Sequence, residues 1–152
     1  MGYKIAIDFG TTNSVIARWN AEQEDAEIVS LAGLSDSANA ERPSVVPSLL
    51  YVEEGQAPSL HYGQAIHTLH LDSQRNNRLF RNFKRGIVAS PAPEARKIDG
   101  VDWYDSDAGR HFVKHLIHSL PYKDEDIDQL VLTAPVASFE GYLAWLNNVI
   151  DE

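Results

Sequence analysis

A short polar run follows the first apolar stretch of the chain and has the residue types of a phosphate and metal-ion site. Residues 8–14 read Asp-Phe-Gly-Thr-Thr-Asn-Ser. Glycine lets the backbone approach a ligand closely, and the amides of a tight turn can form a concave anion site. Thr11 and Thr12 could donate hydroxyls to phosphate oxygens, while Asp8 could hold Mg²⁺ directly or through water. The residue types also allow an ordinary hairpin turn, in which Asp8 and Asn13 bond to local backbone.

A basic segment is the second candidate. Residues 75–86 read RNNRLFRNFKRG and carry most of the positive charge of this part of the chain. We predict a helix over 74–85 that turns Leu79, Phe80 and Phe83 towards the core. Lys84 could reach a phosphate as a point charge, or the segment could be a solvated stripe whose arginines pair with surface acids. Its charged members are Arg75, Arg78, Arg81, Lys84 and Arg85.

Three histidines occur at helical spacing in GRHFVKHLIHSL. His111, His115 and His118 share one helix face, and two histidines four residues apart can bind zinc. No acid or cysteine completes such a site. The apolar residues of the segment lie on the opposite face. We therefore expect an exposed polar face, to which the sequence assigns no role.

The elements that must position these residues can be read from periodicity and turn signals. Early strands are followed by helices and then by one more strand–helix unit, which predicts a mixed α/β layer rather than repeated βαβ units. The last unit looks like half of a crossover, so we expect a truncated chain. The predicted strands are 3–8 and 14–19 as a hairpin, 26–31, 44–52 interrupted at Pro47, and 130–133. The other predicted helices are 63–71, 107–120 and 138–150, with a loop over 88–100.

Composition excludes several classes of protein. The net charge is −9, from 13 basic and 22 acidic side chains, whereas nucleic acids and anionic membranes attract a positive surface. The absence of cysteine removes disulfides and thiolate sites. No segment has the length and hydropathy of a membrane span, and no signal-peptide pattern is present. We expect a cytoplasmic protein that binds neither nucleic acid nor membrane.

Several motifs together resemble the start of a heat-shock protein 70 (DnaK-like) chaperone. The first of these motifs is similar to that family's first phosphate motif in residue type and in position near the N-terminus. The others follow in the family's order: a Pro-Ser before an apolar strand, a Gly-x-x-Ala, a Lys-Arg and a Thr-x-Pro. In this chain they read IAIDFGTTNSVIA (5–17), ERPSVVPSLLYV (41–52), YGQAI (62–66), NFKRGI (82–87) and LVLTAPVASF (130–139).

This resemblance implies the actin-like ATPase (ribonuclease H-like) fold, in which two lobes surround a nucleotide cleft. Residues 1–152 would then be a partial first lobe, a mixed sheet with flanking helices, and the second lobe would be absent from this chain. The family's second phosphate loop is not found in the sequence. We expect the parent protein to hydrolyse ATP and the fragment alone to be inactive.

The resemblance also implies roles for individual residues, with ATP or ADP and Mg²⁺ as cofactors. Asp8 would hold the Mg²⁺ shell through water. Lys84 would sit beside the γ-phosphate and stabilise charge as water attacks, and Pro135 would be a hinge that relays nucleotide state. The residues that cradle the phosphates would be Gly10, Thr11, Thr12 and Asn13.

The implied partners of the whole protein are unfolded client proteins, co-chaperones and a nucleotide-exchange factor. Two alternatives stay open: a carbohydrate kinase of the same superfamily, and a non-catalytic interaction module on the same fold. The chain also departs from the family pattern at two places. The family's Leu-Ile-Gly-Arg after the Lys-Arg pair is Gly-Ile-Val-Ala at 86–89, and the aromatic pair after Thr-x-Pro is weakened at 137–139.

Overall fold

A computed structural model of the chain describes residues 2–37, 39 and 41–151, which form a mixed α/β fold. The strands are β1 (Tyr3–Asp8), β2 (Asn13–Asn20), β3 (Asp25–Ile28), β4 (Val46–Pro47), β5 (Leu49–Glu54), β6 (Ser59–Tyr62), β7 (Leu79–Arg81), β8 (Arg96–Ile98), β9 (Val101–Trp103) and β10 (Ile127–Leu132). The α-helices are α1 (Gln64–Thr68), α2 (Phe83–Ile87), α3 (Asp105–His118) and α4 (Phe139–Asp151). Short 3₁₀ helices cover Leu71–Ser73, Asp124–Asp126 and Val136–Ser138.

The main sheet has the strand order β10–β1–β2–β3, with the short β4 also pairing with β2. β1 and β2 form the predicted antiparallel hairpin, in which Ile7 lies opposite Ile16. On its other side β1 runs parallel to β10, where Ile7 lies opposite Leu132. Because parallel strands place their carboxyl ends at one edge of a sheet, the residues that follow β1 and β10 meet there.

A second sheet has the order β6–β5–β7. The interruption predicted at Pro47 is confirmed, since β4 ends at Pro47 and β5 begins at Leu49. Proline has no amide proton for a strand ladder, so the chain can change sheets at this point. Leu50 in the central strand lies opposite Tyr62 on one side and Phe80 on the other.

The predicted helix over 74–85 is wrong. The segment contains β7, then Asn82 in the left-handed region (φ 57°), then the start of α2. Phe80 and Phe83 are buried as expected, but Phe80 is buried by pairing with β5. Helical and strand spacing both fit such a short apolar run, and only pairing with a neighbouring strand distinguishes them.

The predicted loop over 88–100 is also only partly correct, because its last residues form β8. This strand pairs with β9 in a hairpin, with Ile98 opposite Val101. Asp99 and Gly100 both have positive φ, 52° and 84°, as the tight turn requires. An Asp-Gly dipeptide is a known hairpin signal, so the sequence did carry this information.

The helices α3 and α4 pack against each other and share one apolar core with the main sheet. The predicted α3 and α4 are confirmed with ends shifted by one or two residues. Asp107 in the first turn of α3 accepts a 2.9 Å hydrogen bond from the Tyr104 amide, which stabilises the start of that helix. The core between sheet and helices includes Ile5, Ile7, Phe9, Ile16, Phe83, Phe112, Val113, Leu116, Tyr142, Leu146 and Val149.

The expected exposed histidine face is wrong for two of its three members. His115 stacks on the Tyr62 ring with 3.9 Å between ring centroids, and His111 lies 5.4 Å from the Trp103 ring. Burial, and then the nearby His118, lower the pKa of His115. Only His118 is exposed. The helix face therefore packs against β6 and β9, which the helical spacing could not show.

The expected mixed sheet with flanking helices is confirmed. The third predicted strand, 26–31, is shorter, because β3 ends at Ile28; Val29 still donates to the Ile16 carbonyl at 2.8 Å.

Among residues 2–37, 39 and 41–151, no helix has the length and apolar character needed to cross a bilayer.

Candidate functional site

The turn between β1 and β2 requires glycine at position 10. A Cβ atom there would lie 2.0 Å from the carbonyl oxygen of Asn13. This distance is far below any non-bonded contact, so only glycine allows the backbone to fold back so closely. The turn is therefore tight, which the hairpin interpretation and the anion-binding interpretation both predict.

Ser48 connects this turn to the second sheet. Its hydroxyl donates to the Gly10 carbonyl at 2.8 Å, and its amide donates to the Thr12 carbonyl at 2.8 Å. The buried Ser14 hydroxyl lies 2.9 Å from that of Ser48. Since Ser48 uses its one hydroxyl proton on Gly10, Ser14 is the donor of the second bond. Sequence reasoning quoted Pro47-Ser48 as a motif but assigned Ser48 no role.

Asp8 and Thr133 meet at the carboxyl ends of the parallel strands β1 and β10. The Thr133 hydroxyl donates to Asp8 Oδ1 at 2.7 Å, and the Thr133 amide donates to the Ile7 carbonyl at 3.2 Å. Both side chains are exposed. Thr133 thus orients the carboxylate and leaves Oδ2 available to solvent or a ligand. Thr133 was part of the quoted Thr-x-Pro motif, although only Pro135 was given a role.

Lys84 reaches the same region from α2. Its ammonium donates to the Phe9 carbonyl, directly after Asp8 in the chain. The side chain is half-buried. Burial lowers the pKa of Lys84, and the negative charge of Asp8 opposes that effect. Lys84 thus lies against Phe9, a residue 75 positions earlier in the chain.

Two aromatic rings also surround the Lys84 ammonium. The nitrogen is 5.3 Å from the centre of the Phe9 ring and 5.6 Å from that of the Tyr142 ring. Burial, together with the charge of Asp8, raises the pKa of Tyr142 to about 12. Tyr142 was not found by sequence reasoning, because it belongs to no recognised motif and its spacing on α4 is typical of a core residue.

A polar cleft of about 840 Å³ lies on the other side of the turn. Within the described part of the chain, Asp8, Gly10 and Lys84 do not line it. The predicted phosphate residues therefore fall into two adjoining groups: the cleft side, with Thr11, Thr12 and Asn13, and the Asp8–Lys84 group at the strand ends. The remaining lining residues are Asp36, Ser37, Arg42, Pro47, Ser48, Leu49, Gln64, His67, Asp72, Arg81 and Asn82.

Two hydrogen-bonded side-chain pairs border this cleft. Arg42 bonds Asp36 at 2.6 Å, and His67 bonds Asp72 at 2.8 Å. The Val45 amide, followed by Arg42, lowers the pKa of Asp36. Arg81 lines the cleft with no ion pair to another described residue. The cleft therefore offers both hydrogen-bond donors and an available cation.

The expectation that the basic segment pairs with surface acids holds for one arginine. Arg78 forms two hydrogen bonds to Asp99, at 2.6 and 3.0 Å. Arg75 and Arg85 are exposed and form no ion pair with a residue that the structure describes. The segment is thus neither one continuous stripe nor fully neutralised.

The described residues suit an open Mg²⁺ site better than a site in which several side chains enclose the metal. No cluster of three histidine or acidic side chains able to hold a metal occurs in the described ranges. Asp8 offers a single oriented carboxylate. Mg²⁺ commonly binds one or two carboxylates and keeps waters and phosphate oxygens as its other ligands. Asp8 is suited to that arrangement, whereas the histidines of α3 are not suited to zinc.

Pro135 lies between β10 and α4. It precedes the 3₁₀ helix Val136–Ser138, has an extended backbone (φ −71°, ψ 134°) and is half-buried. The chain changes direction here, from the strand that carries Thr133 to the helix that carries Tyr142. Pro135 thus joins β10 to α4 at the point where the sequence analysis expects a hinge.

The departure from the family pattern at Gly86 has a structural reason. A Cβ atom at this buried position would lie 1.9 Å from Asp105 Oδ2 and 2.7 Å from Asp105 Cβ. Glycine therefore lets α2 approach the start of α3. The half-buried Asp105 has its pKa raised by burial, against the opposing effect of Arg96.

No protein-family model matches this sequence, and no curated protein matches it significantly. The resemblance to DnaK-like chaperones therefore stays a prediction from the order of the motifs in the sequence.

Proposed function

We propose that this chain forms one wall of an ATP–Mg²⁺ site in an ATPase domain of the DnaK-like chaperone type, with the actin-like fold. The observation that carries the proposal is the meeting of Asp8, Lys84 and Thr133 beside the Gly10 turn. These residues come from distant parts of the sequence and belong to the motifs that resemble the family. An exposed carboxylate, a lysine and a tight glycine turn at the carboxyl ends of strands are the parts that phosphoryl transfer needs.

Each group has a chemical role in this proposal. The turn amides and the hydroxyls of Thr11 and Thr12 donate to phosphate oxygens. Lys84 places positive charge where negative charge develops on the transferred phosphoryl group. Asp8, oriented by Thr133, would help to hold the hydrated Mg²⁺. Bound Mg²⁺ supplies further neutralisation of phosphate charge. No covalent nucleophile is needed, because this chemistry depends on positioning and electrostatics.

The proposal requires a second wall, since the sequence contains no second phosphate loop. That wall would come from another segment or chain carrying the second lobe. Pro135 would then act as the hinge between nucleotide state and the rest of the chaperone. Unfolded clients, co-chaperones and a nucleotide-exchange factor would be the partners of the two-lobed protein.

Steady-state phosphate release from ATP tests the proposal. It is measured in the two-lobed protein, meaning this chain together with the segment or chain that carries the second lobe. We expect Mg²⁺-dependent release in the wild type and a loss of at least about a hundredfold in Asp8→Ala and Lys84→Ala, as for other groups that stabilise transition-state charge. Asp102→Ala and Lys97→Ala are matched controls. They remove the same residue types from an exposed pair, 3.6 Å apart, on the β8–β9 hairpin.

Other outcomes would contradict the proposal in recognisable ways. Turnover in both site variants equal to wild type would show that the Asp8–Lys84 group is not the site. ADP formation that requires an added sugar and releases no phosphate would indicate the carbohydrate kinase. ATP binding with no turnover in the wild type would favour the non-catalytic module.

A further inference from the structure

Tyr142 is an unusual residue for the interior of this fold. It lies on α4 with none of its surface exposed. Its hydroxyl is buried and makes no hydrogen bond to any residue in the described ranges. An unpaired buried hydroxyl is costly, so phenylalanine would suit a purely apolar position better. The contacts of the ring indicate what else this side chain does.

The Tyr142 ring contacts the ammonium of Lys84. The nitrogen lies 5.6 Å from the Tyr142 ring centre and 5.3 Å from the Phe9 ring centre, while it donates to the Phe9 carbonyl. Aromatic faces attract cations within about 6 Å, and more strongly where water is excluded. The two rings and the carbonyl therefore restrict a long side chain that would otherwise sample many rotamers.

The second ring is itself held in place. Phe9 packs against Phe83 and Phe112, with ring centres 5.9 and 5.7 Å away. Phe9 directly follows β1, and Phe83 lies on α2 directly before Lys84. These two elements therefore fix one side of the surroundings of the Lys84 ammonium. Tyr142 is different, because it comes from α4 and lies on the far side of Pro135 in the chain. Its position relative to Lys84 depends on how α4 packs.

We infer that Tyr142 is a positioning residue: its ring, opposite Phe9, holds the Lys84 ammonium beside Asp8. The role assigned to the lysine rests on the proposed function. A displacement of α4 would withdraw the ring and release the lysine. The helix that follows the expected hinge would thus communicate with the phosphate site. The Tyr142 hydroxyl is not required for this role.

The Lys84 ammonium signal in ¹⁵N-edited NMR spectra of the 152-residue chain tests the contact directly, with Lys84→Met to assign it. Ammonium protons that are held and shielded exchange slowly enough to be observed. We expect the signal in the wild type and in Tyr142→Phe, which keeps the ring. We expect Tyr142→Leu to lose it. Retention of the signal in the leucine variant would overturn the inference.

A control separates positioning from general destabilisation. Leu146→Ala removes another buried α4 side chain and should lower the thermal midpoint while keeping the Lys84 signal. If Leu146→Ala also abolishes the signal, the effect is merely structural and the inference fails. If Tyr142→Leu does not fold, Tyr142→Met is the second variant, because its flexible side chain fills more of the buried space and carries no ring. Loss of the Lys84 signal in folded Tyr142→Met supports the inference, and its retention overturns it.

The two-lobed protein provides the functional readout. Tyr142→Leu should lower kcat roughly tenfold without weakening ATP binding, the size expected for a lost cation–π contact. Tyr142→Phe, which keeps the ring, should have the wild-type rate. Equal rates in the leucine variant and wild type would overturn the positioning role. Absence of turnover in every variant, with the NMR pattern as expected, would refute the proposed function while supporting the contact between ring and ammonium.

Discussion

At the scale of single residues, the site depends on small polar side chains whose hydrogen bonds hold the Gly10 turn and the Asp8 carboxylate in place. Ser48 joins the Gly10 turn to the second sheet through two hydrogen bonds from one residue. Thr133 orients Asp8 in a similar way. Neither residue needs to contact a ligand itself, because Ser48 fixes the position of the Gly10 turn and Thr133 fixes that of the Asp8 carboxylate.

Ser48→Ala tests this contribution. The substitution leaves the Gly10 carbonyl without its hydroxyl donor and removes the acceptor of Ser14. We expect a loss of about 1–3 kcal/mol in the free energy of unfolding, the usual cost of unpaired buried groups. Urea unfolding followed by circular dichroism measures it. Ser59→Ala is the control, since Ser59 is exposed and, among the described residues, its hydroxyl donates only to Glu53, at 3.3 Å. Equal midpoints for both variants would contradict the assigned role.

At the scale of secondary structure, α3 is the element that joins the two sheets. Its apolar residues pack on the main sheet, and its histidines contact β6 and β9. At its start, Asp105 lies against Gly86 of α2. The helix that positions Lys84 is therefore packed directly on α3, so the geometry of the site depends on contacts well away from it.

The stacking of His115 on Tyr62 predicts a pH dependence. The pKa of His115 is lowered from its ordinary value of 6.5, so below that value the unfolded chain binds the proton more readily than the folded chain. Stability should therefore fall as pH drops through 6.5 and be unaffected by this group above it. His115→Phe keeps the stack and should lose this acid sensitivity.

Urea midpoints measured across this pH range provide the check. The wild type and His115→Phe should run parallel above 6.5 and diverge below it, with the wild type less stable. Parallel curves over the whole range would show that His115 does not titrate as its burial indicates.

The elements that the sequence predicted correctly are those in which a hydrophobic pattern repeats several times within one segment. The β1–β2 hairpin, α3 and α4 have several turns or alternations, so their periodicity was unambiguous. β7 and β8 have three residues each, and their stability comes from pairing with β5 and β9. The stacking of the histidines and the position of Tyr142 depend on contacts between distant segments, which residue spacing does not report.

At the scale of the whole molecule, the candidate site is one-sided. Asp8 is exposed at the edge of the sheet, and the adjoining cleft of about 840 Å³ is open and polar. A net charge of −9 adds an unfavourable long-range field for a polyanionic nucleotide. Strong binding would therefore need Mg²⁺ and further donors from an opposing surface.

The isolated chain should accordingly bind Mg–ATP weakly or not at all. Isothermal titration calorimetry with the 152-residue chain measures this. Heats that fit a dissociation constant in the micromolar range would show that one wall suffices, and would contradict the two-walled site. Addition of the second lobe should convert weak binding into strong binding, provided that Asp8 is intact.

The turnover number of Lys84→Ala compared with that of Lys97→Ala, both in the two-lobed protein, tests the Asp8–Lys84 site most directly. Both variants remove one lysine charge from an acidic molecule, but only Lys84 lies beside Asp8 and the Gly10 turn. We expect the first substitution to lower phosphate release by at least about a hundredfold and the second to leave it unchanged. Equal phosphate release by Lys84→Ala and the wild type would contradict this expectation.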